Sequence, residues 1–371
     1  MTEPRRRAVI AGGLATAVLA ACERTRPPGA SSVVEIATLP QGLGEPQRIV
    51  VEGSHVAVVG VAGFASLVGR RLRHVPVDVE GVALVTWARG GVLSGGAIRD
   101  ASGRPLRKLG GAGLYKDGGL DERVLRADAQ GWTTAVQRRP RPRPAAMVVV
   151  RRGWHHRGWV FEAEGFGDAS LDDDGAIALA IHDGRVVVLE GSVRDDAPRV
   201  LADVRVEPTP YAIAMTAEGP WLACAQGQID ATRVEQAHPD GSLRDDWPTV
   251  VVALGRDGRE QLRLQLDFAV TQLLARGGGV YAVGRGAAAI DRRGVAWSSG
   301  RAGAPHRVGA VDARGALVLV GDARIERVEP SGRSVMTLPL HHAPQCPPCA
   351  TSESGSAWIV AAGRLWRARL W

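Results

Sequence analysis

Along most of this chain, short and mostly apolar runs alternate with glycine-centred polar turns, and helical spacing never takes over. One glycine turn opens each run and a second ends it. Asp174-Gly175 opens AIALAIHD, Glu218-Gly219 opens PWLACAQ, and Gly278 opens GVYAVGR. Arg314-Gly315 opens ALVLV, Ser354-Gly355 opens SAWIVAA, and Glu80-Gly81 opens VALVTWAR. Weaker copies open at Gly53 and Gly131. Each run predicts a strand apolar on both faces, which belongs inside a stack of sheets. A more alternating segment usually follows, as at Arg185–Leu189, Ala323–Val328 and Arg364–Leu370. That pattern predicts a strand with one face on a neighbour and the other in solvent. Glycine and Asp-Gly supply the positive φ that tight hairpins require.

From Gly131 onward most opening glycines recur at about 40–45 residues, the length of a four-stranded propeller blade. The longer gap between Gly219 and Gly278 holds an insertion around His238–Trp247. The chain is therefore expected to be all-β: a single β-propeller of about seven four-stranded blades over residues 33–371. Eight is the alternative, because Gly53 and Gly81 lie so close that four strands barely fit between them. A strand near Val33–Ile36 is expected to complete the last blade, closing the ring and removing free edges. Gly278–Trp297, GGVYAVGRGAAAIDRRGVAW, resembles a repeat of the propellers named for pyrroloquinoline quinone (PQQ), with its strand–glycine–strand unit, Asp-x-x-Gly and following Trp. Gly315–Gly332 is similar without the Trp. The resemblance implies a PQQ-like or WD40-like propeller and carries no specific chemistry.

The N-terminus follows different rules. Arg5-Arg6-Arg7 precedes an uncharged run from Ala8 to Ala21. About 14 residues are too few to cross a hydrocarbon core that needs about 20, and they fit the centre of a secretory signal. The run ends Leu19-Ala20-Ala21-Cys22, which resembles the lipobox of bacterial lipoproteins. That resemblance implies removal of residues 1–21 and a diacylglycerol on Cys22. Arg6-Arg7-Ala8-Val9-Ile10 also resembles a twin-arginine export signal, and general or twin-arginine export both remain open. Residues 22–32, with Pro27-Pro28-Gly29 at their centre, read as a flexible tether. No later stretch approaches a membrane-spanning length, so lipid alone would hold the protein in the cell envelope, on the periplasmic or the surface face.

The net charge of +7 belongs in part to the signal, and the rest is arginine scattered among acids. Neither feature suits a nucleic-acid partner. Cys346-Pro347-Pro348-Cys349 is the sharpest local motif and predicts a disulfide pinning an inter-blade loop. With His341 and His342 upstream, the same cysteines are the alternative ligand set for a metal ion. Cys224, inside an apolar run, is expected to be a buried thiol. Alternating prolines after Arg138 predict an exposed, extended loop, because proline cannot donate to a ladder. Arg138, Arg139, Arg141 and Arg143 there, with His155 and His156 between two tryptophans, are candidates for a partner-binding surface. Asp168 and Asp172-Asp173-Asp174 suggest a calcium loop or, as the simpler reading, an acidic hairpin turn. No nucleophile elbow, phosphate loop or zinc-protease motif is present. No cofactor is expected, and a binding or scaffold role is favoured over an exported enzyme or ligand-binding propeller. The partners are the membrane, through the lipid, and an envelope protein. Length, anchor and repeat class together resemble the propeller lipoprotein of the outer-membrane barrel-assembly machinery.

Overall fold

The computed structural model of the chain describes residues 33–52, 55–76, 86–88, 91–94, 97–100, 103–108, 122–127, 132–139, 145–152, 155–162, 166–172, 176–181, 184–190, 199–225, 249–299, 306–312, 314–321, 323–346, 349–351 and 356–369. Among these, eight four-stranded antiparallel sheets succeed one another along the chain. Seven are built from four consecutive strands. The eighth takes Cys349–Thr351, Ser356–Ala361 and Arg364–Arg369 from the C-terminal end and is completed by Val33–Thr38. Val33 stands opposite Ala368 and Thr38 opposite Arg364. The strand expected near Val33 thus joins the last sheet to the start of the chain.

The eight sheets match the alternative rather than the favoured count of seven, and the reason is one of register. Seven of the eight opening glycines fall at or beside the turn between the first and second strands of a sheet. Gly81 does not. Thr86–Ala88, late in the run that Gly81 opens, is the first strand of the second sheet and pairs with Gly91–Ser94. The run that Gly81 opens thus ends in a first strand, whereas the other runs hold second strands.

The first strand of each sheet lies against the first strand of the next, and the strand at Cys349–Thr351 lies against Pro46–Glu52 of the first sheet. Second strands such as Gly219–Ala225 and Ser356–Ala361 are buried along their whole length. Their alternate residues serve opposite neighbours. Trp221 and Ala223 join the core between the fifth and sixth sheets, whereas Leu222 and Cys224 join that between the fourth and fifth. Fourth strands such as Glu260–Leu266 alternate between exposed and partly buried positions. At about 25 cal/mol per Å² of apolar surface, these face-to-face seams are the main source of stability.

Hydrogen bonds tie the inner strands together. Ile213 N–H donates to Asp168 Oδ2 and Met215 N–H to Ser170 Oγ, both at 2.9 Å, from the fifth sheet to the fourth. Gly309 N–H donates to Gln272 Oε1 at 3.1 Å across the next seam but one. Side chains of one blade thus satisfy edge N–H groups of the next, the pairing an exposed strand edge otherwise lacks.

The turns from third to fourth strand add a contact across the seams. Gly332 holds φ +87°, and a Cβ there would sit 2.7 Å from Trp297 Cγ of the preceding sheet. Trp297 Nε1 donates to Pro330 O of the same turn at 3.1 Å. Gly332→Ala is therefore expected to cost about 2–3 kcal/mol, from the left-handed backbone and the overpacking together. Urea denaturation measures it. Gly315→Ala is the control, since its φ is also positive but nothing lies within 4 Å of its Cβ position.

Arg138 and Arg139 require a correction. They end the strand Trp132–Arg139 and stand opposite Ala146 and Ala145, so they belong to a strand and not to the expected loop. Both still have an N–H to give to a ladder, which the prolines that follow lack.

Candidate binding face

In a four-stranded meander, turns between first and second and between third and fourth strands leave one face of the propeller. Second-to-third turns and sheet-to-sheet connections leave the opposite face. Described turns on the first face are short and internally bonded. Asp312 Oδ1 accepts from Arg314 N–H at 2.8 Å and from Ala316 N–H at 2.9 Å. Asp172 Oδ1 accepts from Ala176 N–H at 2.8 Å. Each carboxylate's second oxygen takes an arginine: Asp312 Oδ2 takes Arg327 Nε at 2.9 Å, and Asp172 Oδ2 takes Arg256 Nη2 at 2.7 Å. Asp168 and Asp172 therefore brace turns and seams, in line with the hairpin reading. Asp173 and Asp174 lie outside the described residues.

The opposite face carries the four longest connections, 77–85, 109–121, 226–248 and 340–348, whereas the longest on the first face is 191–198. Of the four, 340–346 is described and closely held. Leu340 N–H donates to Ala323 O at 2.8 Å, and Gln345 N–H donates to Val360 O at 2.7 Å. Gly363 N–H donates to Gln345 Oε1 at 2.7 Å. The segment delivers Cys346 into the core between the eighth and first sheets, with Leu43, Ile49 and Trp358. Cys349 begins the following strand, and its side chain lies outside the described residues.

His341 and His342 are exposed and line a cleft of about 150 Å³ between the outer parts of the seventh and eighth sheets. Among the described residues no three His, Cys, Asp or Glu side chains come together as a metal group. His341, His342 and Cys346 thus do not converge. His155 and His156 stand opposite Arg152 and Arg151 in the third sheet, in the strand His155–Glu162 rather than in a turn. Cys22, Arg141 and Arg143 lie outside the described residues. Among the described residues no helix is long and apolar enough to cross a membrane.

Cys224 is fully buried, and burial pushes its thiol up to about 12. The thiolate is the reactive form, so iodoacetamide at neutral pH is expected to leave Cys224 unmodified in the folded protein. Mass spectrometry of the peptide holding it should show alkylation only in denaturant. Tyr211 is similarly sealed: burial raises its hydroxyl well above the ordinary value. That hydroxyl donates to Val270 O at 2.7 Å and closes the seam to the sixth sheet.

Sequence reasoning missed the cleft, because its walls come from both ends of the chain. The only available sign was the expected pairing of the N-terminal strand with the last blade.

No known protein family and no curated protein sequence matches this chain. Solved structures do. The C-terminal WD40 domain of Sif2 aligns with TM-score 0.59 at 10% identity, covering 91% of this chain and 98% of that one. The computationally designed Ika8 protein aligns with TM-score 0.58 at 11% identity, covering 90% and 99%. The WD40 domain of Neurospora crassa Pan2 aligns with TM-score 0.50 at 9% identity, covering 91% and 95%. At such identities the likeness speaks for architecture alone: the chain has a β-propeller fold.

Proposed function

We propose that the protein is a lipid-anchored scaffold of the cell envelope, which presents one face of its propeller to a protein partner. The observation that carries this reading is the asymmetry between the faces. The described turns of one are short and internally bonded, and the other bears the four longest connections, 77–85, 109–121, 226–248 and 340–348. Binding surfaces concentrate on loops held by a rigid frame, and connections longer than a dozen residues are uncommon unless they serve a function. The lipobox-like end at Cys22 supplies the anchor, and the tether at 23–32 sets the propeller's reach.

The test places a photo-crosslinking residue at Ala62 or Ala323 on the long-connection face, and at Arg70 or Ser331 on the other. These variants are expressed in the native envelope. A protein adduct from the first pair alone is the expected outcome. Equal adducts from both faces would overturn the orientation. Incorporation of an alkyne fatty acid that persists in Cys22→Ser would overturn the anchor.

A further inference from the structure

We propose that the cleft between the seventh and eighth sheets is the seat of the chain's own Pro27-Pro28 segment. Its walls are Val33, Leu338, Pro339, Ile359, Ala361 and Trp366, and His341 and His342 stand at its edge. Trp366 is fixed in place, because its Nε1 donates to Ala361 O at 3.0 Å. The walls are thus mainly apolar and include one positioned aromatic ring. A volume of about 150 Å³ is of the order that holds a benzene-sized guest in an apolar protein cavity. One or two pyrrolidine rings match that size.

Chain continuity selects the occupant. Val33 forms one wall and is also the residue that leads back into the tether, ERTRPPGASS. Within that stretch Pro27 and Pro28 are the only apolar rings. Pro28 lies five residues before the wall, so the intervening chain reaches at most about 17 Å. Gly29 gives it freedom to turn back. A ligand joined by so short a flexible link acts at an effective concentration in the millimolar range, so even weak contacts would keep the seat filled. The chemistry also matches. A Pro-Pro unit is pre-set for an extended polyproline conformation whose carbonyls have no internal partner, and an aromatic groove takes such segments at little entropic cost. The exposed imidazoles of His341 and His342 supply N–H donors for those carbonyls. Seated in this way, the last turns of the tether would belong to the propeller and fix the direction from which the N-terminal segment leaves it. The inference does not depend on the fate of Cys22.

Labelling of histidines by diethyl pyrocarbonate tests it, using the full chain in detergent and read by mass spectrometry. Pro27→Ser/Pro28→Ser is expected to label His341 and His342 about tenfold faster than the wild type, as for a seat filled about nine-tenths of the time. His55, exposed in the first sheet, should label equally in both proteins and reports that the fold is intact. Equal rates at His341 and His342 in the two proteins would overturn the proposal, whether the cleft is empty or holds something else. Wild-type protection that disappears on dilution would overturn it in favour of a second copy of the chain.

Discussion

Replacing Asp312 by alanine is expected to destabilise the fold by about 3–5 kcal/mol, read as the loss of unfolding free energy in urea. Its side chain has no exposed surface, and that of Arg327 is only 10% exposed. The carboxylate serves four donors: the backbone N–H of Arg314 and Ala316 on one oxygen, and Nε and Nη2 of Arg327 on the other. Alanine removes the counter-charge from a guanidinium that cannot lose its proton, and the turn loses its acceptor at the same time. Asp312→Asn separates the two effects. Its amide oxygen can still accept from the turn, so the loss that remains is that of the ion pair. The double change Asp312→Ala/Arg327→Met should recover part of the cost, since removing both members of a buried pair is milder than removing one. A double variant no more stable than Asp312→Ala would show that the turn, and not the charge, carries the energy. Asp172→Ala is expected to cost less, because its partner Arg256 keeps 29% of its surface in solvent.

These pairs show what was legible in the sequence and what was not. Glycine-bounded apolar runs such as AIALAIHD and SAWIVAA report a local fact, burial of a strand on both faces, and they gave the all-β propeller and its strand spacing. The contacts across seams are non-local. Asp172 meets Arg256 from the next sheet, and Met215 N–H finds Ser170, and no spacing in the sequence announces either. The arginines that the sequence scatters among acids have structural uses. Arg185 makes a bidentate pair with Asp203 and Arg263 one with Glu260, and each holds its partner carboxylate below the usual range. Arg364 ties the last strand to Glu35 in the strand that completes the eighth sheet. Of the proposed site residues, the sequence marked the segment from His341 to Cys349 as unusual, but not that its histidines and cysteine part ways. His341 and His342 go to an outer cleft and Cys346 goes to a core, because the chain between them is pinned by Gln345.

Trp221→Ala is the second large expected loss, about 3–5 kcal/mol, at the upper end because the surroundings collapse poorly. The ring is fully buried in a core rich in alanine, with Ala212, Ala214, Ala253, Ala282 and Ala288 in the same cluster. Each is too small to move into the space a missing indole leaves, and each is fixed in a strand. Arg292 from the sixth sheet places its guanidinium 5.7 Å from the ring centroid, while its Nε donates to Glu218 Oε2 at 2.7 Å. The indole thus also anchors an arginine that crosses the seam. Trp221→Phe should behave differently. Nε1 of Trp221 is buried and has no protein acceptor, and a buried donor without a partner costs about 1–3 kcal/mol. Phenylalanine removes that donor and keeps most of the apolar surface, so its net cost is expected to be only about 1 kcal/mol. Urea titrations of both variants decide the point. A Trp221→Phe loss close to that of alanine would mean that the full indole, through its contact with Arg292, holds the fifth and sixth sheets together. A double-mutant cycle with Arg292→Ala would then measure a coupling above the roughly 0.5–2 kcal/mol of a cation–π pair.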